Sequence, residues 1–126
     1  MWRARGPWRV VVSEESMRPA LEPGDWLLVD PTVRTWPRRG SIVVVREPAS
    51  DLLVAKRVAA GPGDVVRMLD GPILLEPDQA WLLGDDRSRS VDSRTYGPLP
   101  LDRLVARAWF RYGPLGRVGR VGRVPG

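Results

Sequence analysis

The run Leu52-Leu53-Val54-Ala55-Lys56-Arg57-Val58-Ala59-Ala60 decides how this chain folds. It is rich in apolar residues, lies between Asp51 and Gly61-Pro62-Gly63, and reads as a β-strand. Side chains alternate in a strand, so Val54, Lys56 and Val58 share one face while Arg57 points to the other. Runs of the same kind recur outward in both directions: Trp8–Ser13, Trp26–Asp30 and Ser41–Glu47 before it, and Asp64–Leu69, Ile73–Leu75, Ala80–Gly84 and Val105–Tyr112 after it. Each is rich in Val, Leu, Trp or Ile and is bounded by Gly, Pro or Asp. Pro-Gly-Asp occurs at 23–25 and again at 62–64, where Gly supplies the positive φ of a type II turn. No window carries a long apolar pattern at helical spacing. Single helical turns are expected at most, after Ser16 and through Leu101–Leu104. The expected fold is therefore all-β, a single domain of coiled antiparallel sheet or a small barrel.

The chain has 126 residues and a formal net charge of +5, enough for one domain with one real core. The domain is expected over residues 1–112. The remainder, 113–126, repeats Gly-Arg-Val three times and is expected to be disordered. Its arginines offer contacts to acidic lipid or nucleic acid, but the ordinary reading is a solvated tail. No interleaving of aromatic and basic residues marks a nucleic-acid surface, so no nucleic-acid partner is expected. The six Trp fall mostly within strand patterns and read as packing residues.

The longest stretch without a charge is Thr95–Leu101, far short of the roughly 20 apolar residues of a membrane span. At the N-terminus the apolar run is only Val10–Val12, shorter than the roughly 7–15 residues of a signal-peptide core. The expectation is a cytoplasmic protein without a span, with peripheral membrane contact left open.

The absences are chemically informative. There is no Cys, no His and no Asn, and Lys56 is the single lysine beside 19 arginines. These exclude a Ser-His-Asp triad, a thiol nucleophile and a zinc-thiolate site. No metal or cofactor is implied. One common nucleophile system remains, a serine activated by a neutral lysine. An ammonium cannot accept a proton, and burial in an apolar site disfavours it. Lys56 on an otherwise apolar strand face fits that requirement; snorkelling at a sheet edge is the competing reading. Seven serines could partner it.

Ser16-Met17-Arg18-Pro19-Ala20-Leu21, followed by Gly24-Asp25, resembles the nucleophile box of the signal peptidase I family. Lys56-Arg57-Val58 with Gly61-Pro62-Gly63-Asp64 resembles that family's general-base box. Gly84-Asp85-Asp86 leading to Ser90-Val91-Asp92-Ser93-Arg94 and Gly97 resembles its third box. Self-cleaving LexA-type repressors share the first two boxes; the third is specific to signal peptidase relatives. The resemblance spans residues 8 to 110 and implies the coiled antiparallel sheets of the signal peptidase and LexA-like catalytic core. It implies Ser16 as nucleophile, Lys56 as general base and Ser90 as the residue that holds the amine toward Ser16. Asp92 and Arg94 would form a buried pair fixing the last loop, with Ser88 and Ser93 as turn and capping residues.

The chain departs from the family pattern in three places. Gly84-Asp85-Asp86 replaces Gly-Asp-Asn. Glu14 stands two before Ser16, where the family often has a serine that donates to the oxyanion. A carboxylate there is repulsive, so either the Ser16 backbone N–H carries that role or Glu14 turns away. The family's long insertion between the second and third boxes is reduced to about 20 residues. This brevity, and the form Asp51-Leu52-Leu53-Val54-Ala55-Lys56-Arg57, resemble the nickel-type superoxide dismutase maturation proteases. The implied partner is a precursor polypeptide with small residues before the cut. A general signal peptidase acting on secreted preproteins is one alternative; a repressor-type or non-catalytic binding module is the other.

Overall fold

The computed structural model describes residues 3–4, 9–12, 15–114 and 118–121. Among the described residues eleven strands form: β1 Arg3–Ala4, β2 Arg9–Val11, β3 Trp26–Asp30, β4 Ile42–Arg46, β5 Leu53–Ala60, β6 Val65–Met68, β7 Gly71–Leu74, β8 Gln79–Leu83, β9 Leu99–Pro100, β10 Leu104–Gly113 and β11 Gly119–Arg120. A four-residue helix, α1, spans Ser93–Tyr96, and single 3-10 turns cover Arg87–Arg89 and Leu101–Arg103. The expected runs therefore become strands within a residue or two of their predicted ends. In the first run, Trp8 and Ser13 lie outside the described residues. The turn glycines behave as read, with φ of 94° at Gly24 and 82° at Gly63.

All strand pairs are antiparallel. The main sheet runs β1-β2-β3-β10-β4-β5-β8-β9, and β6 and β7 pair only with each other. This is the all-β, single-domain architecture expected. β4 lies near the middle, and its unbroken Ile42-Val43-Val44-Val45 run is buried on both faces. Ile42 and Val44 join Val12, Met17, Leu21, Leu27, Val29 and Ala106 in one core cluster. Val43 and Val45 join Trp36, Val54, Val58, Leu82 and Leu99 on the opposite face. Two cores thus grip one sheet. Among the described residues, no helix is long and apolar enough to cross a membrane.

Part of the tail lies against β10. β10 outruns β4: it pairs with β4 through Leu104–Ala108, leaving the edge at Phe110 and Arg111 open. Gly119 and Arg120 fill that edge as β11, opposite Arg111 and Phe110. A Gly-rich repeat has little strand propensity of its own, but an unpaired strand edge supplies hydrogen bonds to any neighbouring backbone. Of the segment 113–126, Gly113, Gly119 and Arg120 are paired in strands, while 115–117 and 122–126 lie outside the described residues.

Candidate active site

Ser16 follows β2 at the start of a tight turn. Met17 and Leu21 behind it are completely buried in the first core, and Leu21 N–H donates to Met17 C=O at 2.9 Å. Arg111 of β10 reaches across and donates to Ala20 C=O at 2.7 Å, with buried Asp25 at 3.4 Å. Apolar anchors and a cross-brace thus hold the turn, and Ser16 is only 5% exposed.

Lys56 sits mid-way along β5, opposite Val43 of β4, on the face that carries Val54 and Val58. Its residue exposure is 2%. That outcome excludes snorkelling: the side chain runs inward. Nζ lies 3.1 Å from Ser16 Oγ and 3.3 Å from Ser90 Oγ. Three side chains, from β2's end, β5 and the segment after β8, meet at one amine.

The third segment is itself tightly organised. Ser90 Oγ donates to Asp92 Oδ2 at 2.9 Å, and Gly84 N–H donates to the same oxygen at 2.9 Å. Arg94 Nε donates to Asp92 Oδ1 at 2.9 Å and its terminal nitrogen bonds Arg87 C=O at 2.8 Å. Asp92 also caps α1, accepting from Arg94 N–H. Burial by itself would raise the Asp92 carboxyl; the bonds from Arg94, Gly84 and Ser90 together outweigh it and hold the group below its usual range. The pair differs from the expectation in one respect. Asp92 is buried, but the Arg94 side chain is 38% exposed, because a guanidinium that also bonds two loop carbonyls must sit at the rim. Ser93 does not cap. Its Oγ accepts from Leu82 N–H at 2.9 Å and ties α1 to β8. Ser88 makes a local turn contact with Asp86.

Two features escaped the sequence reading. Arg57, on the strand face opposite Lys56, forms a two-pronged pair with Asp85 at 2.8 and 2.7 Å and also bonds Gly40 C=O. The base strand is thereby locked to the loop carrying Ser90. Gly84 is the other: a Cβ there would lie 2.1 Å from Ser90 Oγ and 2.8 Å from the Ser16 carbonyl oxygen. Both sit inside quoted boxes, so the signal was their adjacency to Lys56 and to Asp85. The Ser16 carbonyl accepts from Asp86 N–H at 2.9 Å, and Glu15 pairs with Arg89, so nucleophile turn and third box are stitched together on two sides. Glu14 lies outside the described residues.

A buried lysine amine between two serine hydroxyls on a β scaffold is the arrangement of a serine-type peptidase that works without histidine. Comparison with known proteins gives the same class. The profile described as "Signal peptidase, peptidase S26" matches residues 7–79 and 74–113. A signal peptidase I of Leptolyngbya laminosa is 30% identical over 147 positions, covering 90% of this chain and 72% of that protein. Mitochondrial inner membrane protease subunit 1 of Xenopus tropicalis is 33% identical, covering 92% of this chain and 75% of that protein. Thylakoidal processing peptidase 1 of Arabidopsis thaliana is 28% identical over 85% of this chain, which spans 42% of it. The chain belongs to the peptidase S26 signal peptidase family and is a serine-type peptidase.

Proposed function

We propose that Ser16 and Lys56 form the catalytic dyad of an endopeptidase that removes an N-terminal segment from a precursor polypeptide. The observation that carries this is the 3.1 Å separation between Ser16 Oγ and the buried Lys56 Nζ. With the amine neutral, Ser16 Oγ attacks the scissile carbonyl carbon and its proton passes to Nζ. The resulting ammonium protonates the leaving amine, the C–N bond breaks, and an acyl-enzyme ester remains. Water then attacks the ester, giving a proton to Nζ, and Ser16 regains its hydrogen as the product acid leaves. Ser90 orients the amine, and Asp92 orients Ser90. The Ser16 backbone N–H is the proposed oxyanion donor. The substrate binds extended along a sheet edge, with small residues one and three positions before the cut.

For the substrate, the relatives named above favour a targeting or leader segment, the general signal peptidase reading. A second reading is the removal of a short leader from nickel-type superoxide dismutase in the cytoplasm. The observation favouring it is compactness: the whole connection from β5 to β8 is the single β6–β7 hairpin. The test mixes the enzyme with a dismutase precursor and with a secretory preprotein in liposomes, then sequences the new N-termini. Cleavage of the preprotein alone eliminates the second reading; cleavage of the precursor alone eliminates the first. Ser16→Ala and Lys56→Arg abolish either cleavage while the fold survives, because Arg keeps its charge and cannot serve as base. Full activity in Lys56→Arg removes the dyad.

A further inference from the structure

The turn that carries Ser16 is pinned at its base, where β2 gives way to β3. Val12 N–H donates to Asp25 C=O at 2.9 Å, and Gly24 N–H donates to Val12 C=O at 2.7 Å. Carbonyls further round the turn need donors of their own. Ala20 C=O takes one from Arg111 of β10, at 2.7 Å and 91 positions away in sequence. The same Arg111 nitrogen lies 3.4 Å from Asp25 Oδ2, an oxygen that also accepts from Glu22 N–H at 2.9 Å. The Asp25 side chain is 1% exposed and that of Arg111 16%. Charge-assisted bonds in so dry a place are strong and directional. One guanidinium thus grips the turn at Ala20 directly and at Glu22 through Asp25.

Arg111 is aimed by the register of β10, which is irregular at this point. Against β3 the register shifts between Ala108 and Phe110 and again between Arg111 and Gly113. Phe110 with Leu28 and Arg111 with Leu27 remain as an island of two pairs between the shifts. The pairing of β10 with β4 runs from Leu104 to Ala108 and stops short of the island. Such irregularities let a strand twist, and a slip of one residue turns every side chain to the opposite face. On its second edge the island meets β11. Arg111 pairs with Gly119, Phe110 pairs with Arg120, and Val121 N–H donates to Trp109 C=O at 3.3 Å. The Gly-Arg-Val repeat therefore fixes the two residues whose register decides where Arg111 points.

We propose that Arg111 is a positioning residue for the nucleophile and that β11 keeps it aimed, so that the C-terminal repeat holds the turn presenting Ser16. The inference rests on the Ser16–Lys56 dyad proposed above. The amine arrives on β5 and the hydroxyl on the turn, so only the hydroxyl depends on this brace. A turn released at Ala20 and Glu22 carries Ser16 Oγ off its 3.1 Å contact with Lys56 Nζ, while Lys56 and Ser90 stay in place. The loss falls on the chemical step and not on substrate binding.

The test is steady-state kinetics of full-length variants on a soluble peptide with alanine one and three positions before the cut, beside thermal melts. In Arg111→Gln, kcat falls about 30-fold with KM within about twofold of wild type. Arg111→Lys keeps a cation but not the fork that serves two acceptors, and loses only about fivefold. The midpoint of the kcat–pH profile stays at its wild-type value in both. Gly119→Pro/Val121→Pro unpairs β11, since proline has no N–H and fixes φ near about −65°, and lowers kcat about tenfold. Added to Arg111→Gln, the proline pair costs no more than about a further twofold, because both changes act through one contact. Wild-type kcat in a folded Arg111→Gln protein, a rise in KM alone, or a shifted pH midpoint overturns the positioning role. Should Arg111→Gln not fold, Arg111→Lys is judged by the same three results. Losses that multiply in the combined variant overturn the part given to β11. Ser16→Ala separates the two readings: activity in that variant removes the dyad itself, whereas an inactive Ser16→Ala beside fully active Arg111 variants removes only the brace.

Discussion

Gly84→Ala is a one-methyl wedge driven into the centre of the site. The added Cβ would lie 2.1 Å from Ser90 Oγ, 2.4 Å from Ser90 Cβ and 2.8 Å from the Ser16 carbonyl oxygen. Carbon contacts settle at about 3.5–4.0 Å, so Ser90 must retreat by more than about 1 Å. Rotating the Ser90 side chain does not relieve this, since its Cβ is blocked as well as its Oγ. Retreat breaks the 3.3 Å contact with Lys56 Nζ and pushes Ser16 away through its backbone. A misplacement on the order of 1 Å costs about a hundredfold in rate, while overpacking of this kind costs about 1–3 kcal/mol of stability. The assay is kcat/KM on a soluble peptide beside a thermal melt. The expected signature is a folded protein with a loss in kcat of about a hundredfold. Wild-type turnover in a folded Gly84→Ala protein would refute the close approach of the three segments.

Further outcomes follow from the same geometry. Ser90→Ala removes a hydroxyl that contacts the Lys56 amine, so kcat falls by about 10- to 100-fold with KM nearly unchanged, as steady-state kinetics will show. Asp92 is held below its ordinary range when folded; its stabilisation is complete above the unfolded value of about 3.9 and is lost as pH falls through the lower folded value. Urea titrations below about pH 4 should therefore show the wild type losing stability more steeply than Asp92→Asn, and parallel curves would contradict this. Glu15→Gln cuts the exposed pairs to Arg89 and Arg18, lowering kcat by at most about fivefold at low salt, a difference that disappears at high salt.

The strands were legible because Gly, Pro and Asp punctuate them, and because β4 carries an unbroken apolar run suited to a doubly covered position. Lys56 was legible for a related reason: a lone cation on the face of Val54 and Val58 has nowhere polar to go except a built site. The unread parts depend on neighbours distant in sequence. Helix α1 exists because Asp92 caps it and Ser93 binds Leu82, neither of which appears as a helical period. β11 exists because β10 outruns β4, a length difference visible only after pairing. Arg57 and Asp85 are 28 positions apart, and their pairing needs the β5–β8 ladder to bring them together. The excess of arginine over acid gave a net charge but not which arginines meet a carboxylate, as Arg57 meets Asp85.

The β6–β7 hairpin forms a sheet of its own; its ladder continues at the base, where Leu75 bonds Gly63 and Asp64 across the two arms and is itself buried. Its outer residues Val65, Leu69 and Leu74 are exposed. An element that shares so few bonds with its host opens alone, so amide hydrogens from Val65 to Leu74 exchange ahead of those in β4 and β5. It also makes a natural port for added chain. Extra length at the Leu69–Gly71 tip leaves the ladder at Leu75 in place, and with it the register that delivers Lys56. One catalytic sheet can in this way carry a bare hairpin or a whole additional subdomain, and change what it admits without rebuilding the chemistry.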